Sequence, residues 1–438
     1  MPNQTIFCNT PWYELHIYWD GSLGICCQED HKLYDEVDKQ YNIATMSIVD
    51  WFNSEPVRRF RKSMLGDKRV SECRRCYQPE DYGGPSRRLK SNQKSVIFTR
   101  TAFDDSFKQS PGYKHFSMSQ ESGYTDTLPI DMHIDLGNYC NLACKMCGAK
   151  ASSTIAVQEV KWGIESSKQY LGNDWTYNNS VWESFKHQLL AIPNLNNIHF
   201  MGGETLLTNR FENLVDFMIE HKRFDLCFSF VTNGTVFRAN ILDKLKHFRR
   251  VGIEVSIETL DEHNAYQRQG TDTSIVLKNI QRYQTYCNGS SITVALRPAP
   301  SILTIGYLPS LFAYALEHQL IIKANLCINP RFMAADILPE EVKTLYRTRY
   351  EDFLNSLPDS SKGDYNASDP NNHVAVIREH AEMCLAVLST PTPEDSDTQL
   401  HALVEHCQKW DKIYHLNAVD LYPEWSSLLN KYNYVPSN

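Results

Sequence analysis

The chain has 438 residues, 13 of them cysteine, with 42% apolar residues, 22% charged residues and a formal net charge of -8. That apolar content supports packed cores and excludes long disorder, and at roughly 150 residues per domain the length suits one large domain with a smaller companion. Lysines and arginines are scattered rather than striped, so no nucleic-acid surface is indicated, and the one basic cluster, "RRLKSNQK" from Arg87 to Lys94, reads as a solvated loop. The chain does not open with a basic region and an apolar run, and no window approaches ~18 apolar residues; both point away from membranes and toward the cytoplasm. Disulfides are rarely maintained there, so clustered cysteines mean metal or redox chemistry.

Residues 1–90 form a cysteine-bearing segment. In it "ELHIYWDGSLGICC" reads as strand, two-residue Asp20-Gly21 turn, strand, and "SIVDWFNSEPVRRFRKSML" reads as helix with Ser47 as its cap. Residues 91–128 are polar with little period and read as a linker or a loop laid over the main domain. From 129 to 330 strand-like runs alternate with amphipathic helices, the pattern of βα units around a parallel sheet. The expected strands are 130–136, 197–203, 226–234, 252–259, 291–298 and 321–328. Between them, "NRFENLVDFMIEHK" buries Phe211, Leu214, Val215 and Met218, and "ANILDKLKHFRR" buries Ile241, Leu242, Leu245 and Phe248. Residues 163–185 make the first crossover long, and Trp175, Tyr177 and Trp182 in it read as structural. The segment 331–438 is expected to be helical, with Pro339 in the first turn of its first helix and another helix near 398–416, covering the barrel or cradling a substrate.

The run "DLGNYCNLACKMCGAK" sets Cys140, Cys144 and Cys147 on the loop leaving the first of these strands. Structural zinc wants four protein ligands, and His133 lies seven residues before Cys140. Three thiolates instead suit a cubane iron-sulfur cluster with one iron left open. With this spacing, between a first strand and a helix, the chain resembles the radical S-adenosylmethionine (SAM) superfamily. The resemblance implies a partial (βα)6 barrel, a 4Fe-4S cluster whose open iron binds SAM, and reductive cleavage of SAM to a 5′-deoxyadenosyl radical. It implies that Gly202 and Gly203 of "MGGE" admit the methionine moiety without Cβ clash while Glu204 receives its ammonium. It makes Asn233 of "VTNG" a SAM contact, Ser256 and Glu258 of "SIE" the ribose-binding pair, and Arg268 of "YQRQGTD" the partner of the SAM carboxylate. Met146 stands where the family usually has an aromatic residue, and its thioether covers the adenine edge. The family's glycine-rich adenine motif is not recognisable in "ITVALRPAP".

A second set of thiols is spread over Cys8, Cys26, Cys27, Cys73 and Cys76. A CxxC pair, a hairpin cysteine and Cys8 give four thiolates, which either zinc or a fully ligated iron-sulfur cluster satisfies. The segment resembles the auxiliary-cluster segments of twitch and SPASM proteins, which implies a second, auxiliary 4Fe-4S cluster on Cys8, Cys26, Cys73 and Cys76; here the segment precedes the barrel instead of following it. Adjacent strand residues face opposite ways, so only one of Cys26 and Cys27 should reach the metal, and the resembling segments favour Cys26. The five scattered cysteines, Cys227, Cys287, Cys327, Cys384 and Cys407, read as packing residues, as does His199.

The expected protein is thus an α/β chain: a small N-terminal cysteine-rich cluster domain (1–90), a linker (91–128), a partial-barrel radical SAM core (129–330) and C-terminal helices (331–438). The implied activity is hydrogen abstraction from a substrate, with oxidative modification of a peptide or protein and the auxiliary cluster as electron relay. The implied partners are that substrate and an external one-electron reductant such as flavodoxin or ferredoxin, with no membrane and no nucleic acid. A small metabolite, sugar or nucleotide is the alternative substrate. A two-cluster electron carrier or redox sensor is the non-enzymatic alternative, and it would not need Gly202, Gly203, Glu204 or Ser256.

Overall fold

The computed structural model describes residues 6–29, 41–66, 68–81, 86–94, 111–172, 174–358 and 370–436. Among the described residues eight strands, β1 (Glu14–Ile17), β2 (Leu23–Gly24), β3 (Asp131–Asp135), β4 (Asn197–Met201), β5 (Cys227–Thr232), β6 (Arg250–Val255), β7 (Ile292–Leu296) and β8 (Ile321–Ile322), follow one another in the sheet order β2-β1-β3-β4-β5-β6-β7-β8. Strands β3 to β8 with their intervening helices are the six units of the expected partial barrel. Strand β1 lies parallel to β3, with His16 opposite His133, so the N-terminal segment extends the sheet of the core.

By internal packing the chain divides into two compact units. The first comprises Met1–Tyr139, Ala149–Phe230 and Asn240–Val251; the second comprises Cys140–Gly148, Val231–Ala239 and Gly252–Asn438.

In the first unit the period-two alternation of β1, β3 and β4 sends Leu15, Ile17, Met132, Ile134, Ile198 and Phe200 to one face, each fully buried. Phe200 meets Phe211 of helix Asn209–Glu220 edge-on at 5.1 Å and stacks on Phe228 of β5 at 5.7 Å. Burying such a ring contributes on the order of 2–3 kcal/mol, which is why this helix lies where its Phe211–Leu214–Val215–Met218 stripe dictates. The opposite face carries His16, His133 and His199 side by side in register. Ser47 caps helix Ile48–Phe52 by accepting from Asp50 N–H, as its position before that run requires.

Several readings are corrected. The hairpin turn is longer than two residues: Tyr18 N–H bonds Ser22 O, Gly21 N–H bonds Tyr18 O, and Gly21 alone of the pair takes a positive φ, +80°. This is a turn closed by one left-handed glycine, with Asp20 Oδ1 accepting from Ser22 N–H at 3.0 Å. The basic cluster is the helix Arg87–Lys94, not a loop: Ser86 Oγ accepts from Leu89 N–H at 3.1 Å, and Arg88 is buried against Glu80. The stretch 91–128 holds the second half of that helix and a further helix, Pro111–Ser122; residues 95–110 of it lie outside the described residues. Trp12 Nε1 donates to Ser119 Oγ at 2.8 Å and the buried Arg61 donates to Gly123 O at 3.2 Å, so this stretch is tied to the N-terminal segment. In the long crossover Trp175 and Trp182 pack at 5.5 Å, but Tyr177 is exposed.

The second unit holds β7 and β8 in parallel register and the C-terminal helices Glu340–Ser356, Pro370–Leu388 and Ser396–Tyr414. Strand β8 is two residues long where eight were expected. Beyond it the N–H groups of Asn325 and Cys327 still reach Pro298 O and Pro300 O, but those prolines have no N–H to give back, so the ladder stops. Tyr307 and Tyr346 both donate to Glu424, at 2.6 and 2.7 Å, fastening the final segment to the first C-terminal helix.

Candidate functional site

In the second unit the loop Cys140–Gly148 folds back on itself, with Cys147 N–H donating to Cys144 O at 2.9 Å. Its sulfurs are met by N–H donors. Leu142 N–H reaches Cys140 Sγ at 3.5 Å, Asn233 Nδ2 lies 4.0 Å from the same sulfur, and Arg268 Nη1 lies 3.9 Å from Cys144 Sγ. The hydrogen bond shared with Cys147 holds the Cys144 thiol below its ordinary range, against burial and with help from the Arg268 guanidinium. The same hydrogen bond, with burial, pushes the Cys147 thiol well above its ordinary range, so the donors and the guanidinium favour the thiolate at Cys144. Cys144 is buried, Cys140 half-buried and Cys147 exposed.

Asn233 is held by Asn141 Oδ1, which accepts from its Nδ2 at 2.9 Å, and it accepts from Thr235 in turn. Ser256 and Glu258 lie just beyond β6, both buried. Glu258 and Arg268 are bound to each other: two parallel contacts of 2.6 Å join them, and Ala299 N–H adds 3.1 Å to Glu258 Oε1. The two residues that the resemblance sends to different parts of SAM are thus one fork-to-fork ion pair. Met146 is half-buried between Lys145 and Cys147.

Gly202, Gly203 and Glu204 belong to the first unit. Gly202 has φ +109°, and a Cβ there would stand 2.4 Å from Gly137 O; a Cβ on Gly203 would stand 2.2 Å from Tyr139 O. The glycines therefore already serve the chain's own backbone. Gly203 N–H bonds Gly137 O at 3.0 Å and Glu204 N–H bonds Tyr139 O at 2.8 Å, which fixes the strand exit that runs into Cys140. Glu204 is buried, and its Oε1 accepts from Leu206 N–H at 3.0 Å.

The second thiol set is also in the first unit. Cys8, Cys26, Cys73 and Cys76 line one cavity with Arg87 and Arg88 beside them. Burial pushes all four thiols up, against hydrogen bonds with Thr10 at Cys8 and with help from neighbouring charges at Cys26, Cys73 and Cys76, the last to about 11. Thiols that oppose one another's ionisation in a buried cage lose protons readily only to a thiophilic metal, so the donor set fits a metal cluster. Cys27 instead groups with Glu14 and His133, their ligand atoms all within 4.8 Å of one another. Arg87 bridges the two groups: its Nη2 lies 2.5 Å from Glu14 Oε2 and 3.1 Å from His133 Nε2. Sequence reasoning passed over Glu14, Arg87 and Lys145; their signal lies in strand register and buried pairing, not in local pattern.

A family model described as "Radical SAM superfamily" matches residues 134–298, and one described as SPASM, "Iron-sulfur cluster-binding domain", matches residues 8–77. Among solved structures, the chain is similar to native anSMEcpe with bound AdoMet at 22% identity, over 52% of this chain and 62% of that one, with a TM-score of 0.38. It is similar to Streptococcus suis SuiB bound to S-adenosylmethionine at 12% identity, over 58% and 55%, with a TM-score of 0.39. A third similar structure is the radical SAM methyltransferase TsrM from Kitasatospora setae with cobalamin and a 4Fe-4S cluster, at 13% identity, over 44% and 36%, with a TM-score of 0.32. The chain thus spans less than two thirds of the length of these structures. No curated protein matches it. Among the described residues no helix is long and apolar enough to cross a membrane. The radical SAM domain carries a 4Fe-4S cluster and SAM, and the SPASM domain carries auxiliary iron-sulfur, which resolves the choice left between zinc and iron at the second thiol set. Residues 134–298 thus match the radical SAM superfamily and residues 8–77 the SPASM iron-sulfur domain.

Proposed function

We propose that the chain is an oxidising radical SAM enzyme of the maturase kind, acting on a peptide or protein. Cys140, Cys144 and Cys147 would hold the SAM-binding cluster, and Cys8, Cys26, Cys73 and Cys76 the auxiliary one. Bound there, the clusters and SAM supply one-electron chemistry that ends in hydrogen abstraction from a substrate carbon. The chain's own residues do the positioning. The backbone of 202–204 fixes the strand exit before Cys140, and Asn233 and Arg268 direct N–H groups at the sulfurs. Gly202, Gly203, Glu204, Asn233, Ser256, Arg268 and Met146 would contact SAM, with Glu258 acting through Arg268. An external reductant of the flavodoxin or ferredoxin class would supply the electron in a cytoplasmic setting.

The observation that carries the reading is the trio of cysteines in one loop, with N–H donors at the Cys140 and Cys144 sulfurs, inside a segment matched to the superfamily. The peptide class is supported by the resemblance of the N-terminal segment to those of peptide-modifying enzymes. The test is to reconstitute the full chain without oxygen, add SAM and dithionite, and measure 5′-deoxyadenosine. Deoxyadenosine formation that disappears in Cys144→Ala supports the reading. Its absence from well-loaded protein, with or without candidate peptides, overturns it in favour of an electron carrier.

A further inference from the structure

Lys145 sits inside the cysteine loop, between Cys144 and Met146, yet its side chain is fully buried. The ammonium group is 3.0 Å from Tyr266 O, 3.5 Å from the centre of the Tyr266 ring and 3.4 Å from Asp411 Oδ1. Asp411, in helix Ser396–Tyr414, is also fully buried, and its Oδ2 accepts from Tyr266 Oη at 2.9 Å and Tyr434 Oη at 2.6 Å. The same helix reaches the loop's backbone, where His406 Nε2 donates to Lys145 O at 3.0 Å. On its other side the loop is pinned around Arg268: Ala143 N–H bonds Gln269 O at 2.9 Å and Lys145 N–H bonds Gln267 O at 2.8 Å. All of these residues lie in the second unit.

Burying an ammonium and a carboxylate costs free energy unless each finds the other and its remaining hydrogen bonds are satisfied. Here both charges converge on one point of a loop that must hold three sulfurs in fixed geometry, and outer contacts of this kind set the orientation of metal ligands. We propose that Asp411, through Lys145, is a positioning residue for the cysteine loop, so that the C-terminal helix Ser396–Tyr414 is part of the apparatus that holds the SAM-binding cluster. The inference rests on the proposed ligation by Cys140, Cys144 and Cys147. It assigns the C-terminal segment a role in cofactor binding that neither a barrel cover nor a substrate cradle supplies.

The test uses the reconstituted full chain and four variants: Asp411→Asn, Tyr434→Phe, the double variant Lys145→Met with Asp411→Leu, and Cys147→Ser. The readouts are iron content, melting temperature, the electron paramagnetic resonance spectrum of the reduced cluster with and without SAM, and SAM affinity by calorimetry. Asp411→Asn is expected to weaken SAM binding about tenfold and to change the SAM-induced shift of the spectrum. Tyr434→Phe is expected to act in the same sense, more weakly. The double variant removes both buried charges and is expected to melt higher than Asp411→Asn while keeping the SAM defect, which a merely structural role would not produce. Should Asp411→Asn fail to fold, the other two decide. Unchanged spectra and affinities in the folded Asp411 and Tyr434 variants overturn the proposal. Cys147→Ser separates the two claims: if it keeps the cluster signal, the ligand assignment itself falls, whereas loss of that signal beside normal Asp411 variants removes only the positioning role.

Discussion

At the scale of single residues, the pair Glu258–Arg268 shows how buried charge constrains chemistry. Each satisfies the other through two contacts of 2.6 Å, while Arg268 Nη1 still reaches Cys144 Sγ at 3.9 Å. Replacing Glu258 by Gln leaves a buried guanidinium without its counter-charge, and the expected loss of unfolding free energy is about 3–5 kcal/mol, read by urea denaturation. A loss below about 1 kcal/mol would mean the pair contributes little. Asp131, the first residue of β3, makes the opposite case. Burial, reinforced by the Glu14 carboxylate, pushes its carboxyl up to about 6, against a hydrogen bond from Asn197. A raised carboxyl binds its proton more tightly in the folded chain, so stability falls as pH rises from about 4 to about 6 and stays lower above. Asp131→Asn should therefore unfold at higher denaturant than the unmodified chain at pH 7.5, by on the order of 2 kcal/mol. At pH 4 that gain should be gone, and an advantage independent of pH would contradict the assignment.

At the scale of elements, the exits of β3 and β4 decide where the cysteine loop begins. Gly203 carries no side chain because Tyr139 O occupies the place of a Cβ, 2.2 Å away, and backbone cannot swing aside as a side-chain tip can. Gly203→Ala is expected to displace residues 137–139 and to lower the iron retained by the SAM-binding cluster after desalting; full retention would show that the strand exit tolerates the shift. Much of this level could be read from sequence. Alternation located six strands, Ser47 marked a helix start, and the stripe from Phe211 to Met218 named the buried face, because each depends on neighbours within a few residues. The pairing of β1 with β3 was not legible, since register between segments more than a hundred residues apart leaves no local trace. The same holds for Lys145 and Asp411. Nothing local in the loop marks Lys145 as buried, and only the fold supplies the carboxylate that pairs with it. The shortness of β8 was legible in principle from Pro298 and Pro300, but only once those prolines were known to face the next strand.

At the scale of the whole molecule, the chain carries two thiol sets that differ in what they leave open. The trio in the loop can hold three irons of a cluster and leave the fourth open to SAM, while the cage of four can close its cluster completely, which suits electron transfer. The structure also separates Cys26, which lines the cage cavity, from Cys27, which groups with Glu14 and His133. Cys26→Ser should lose about four of about eight irons, whereas Cys27→Ser should retain them; the reverse result would move the ligand to Cys27. Breaking the cage tests the relay directly. If the auxiliary cluster removes the electron left on the substrate after hydrogen abstraction, Cys73→Ser should still form 5′-deoxyadenosine from SAM while oxidised product falls by at least about a hundredfold, the size expected when an electron path is cut rather than tuned. Equal loss of deoxyadenosine and product would instead mean that the N-terminal segment is needed for the first cluster's chemistry. Since β1 pairs directly with β3, that outcome would have a physical route, and a melting curve of the variant would expose it: a relay defect leaves the transition unmoved, whereas a failure of the shared sheet lowers it.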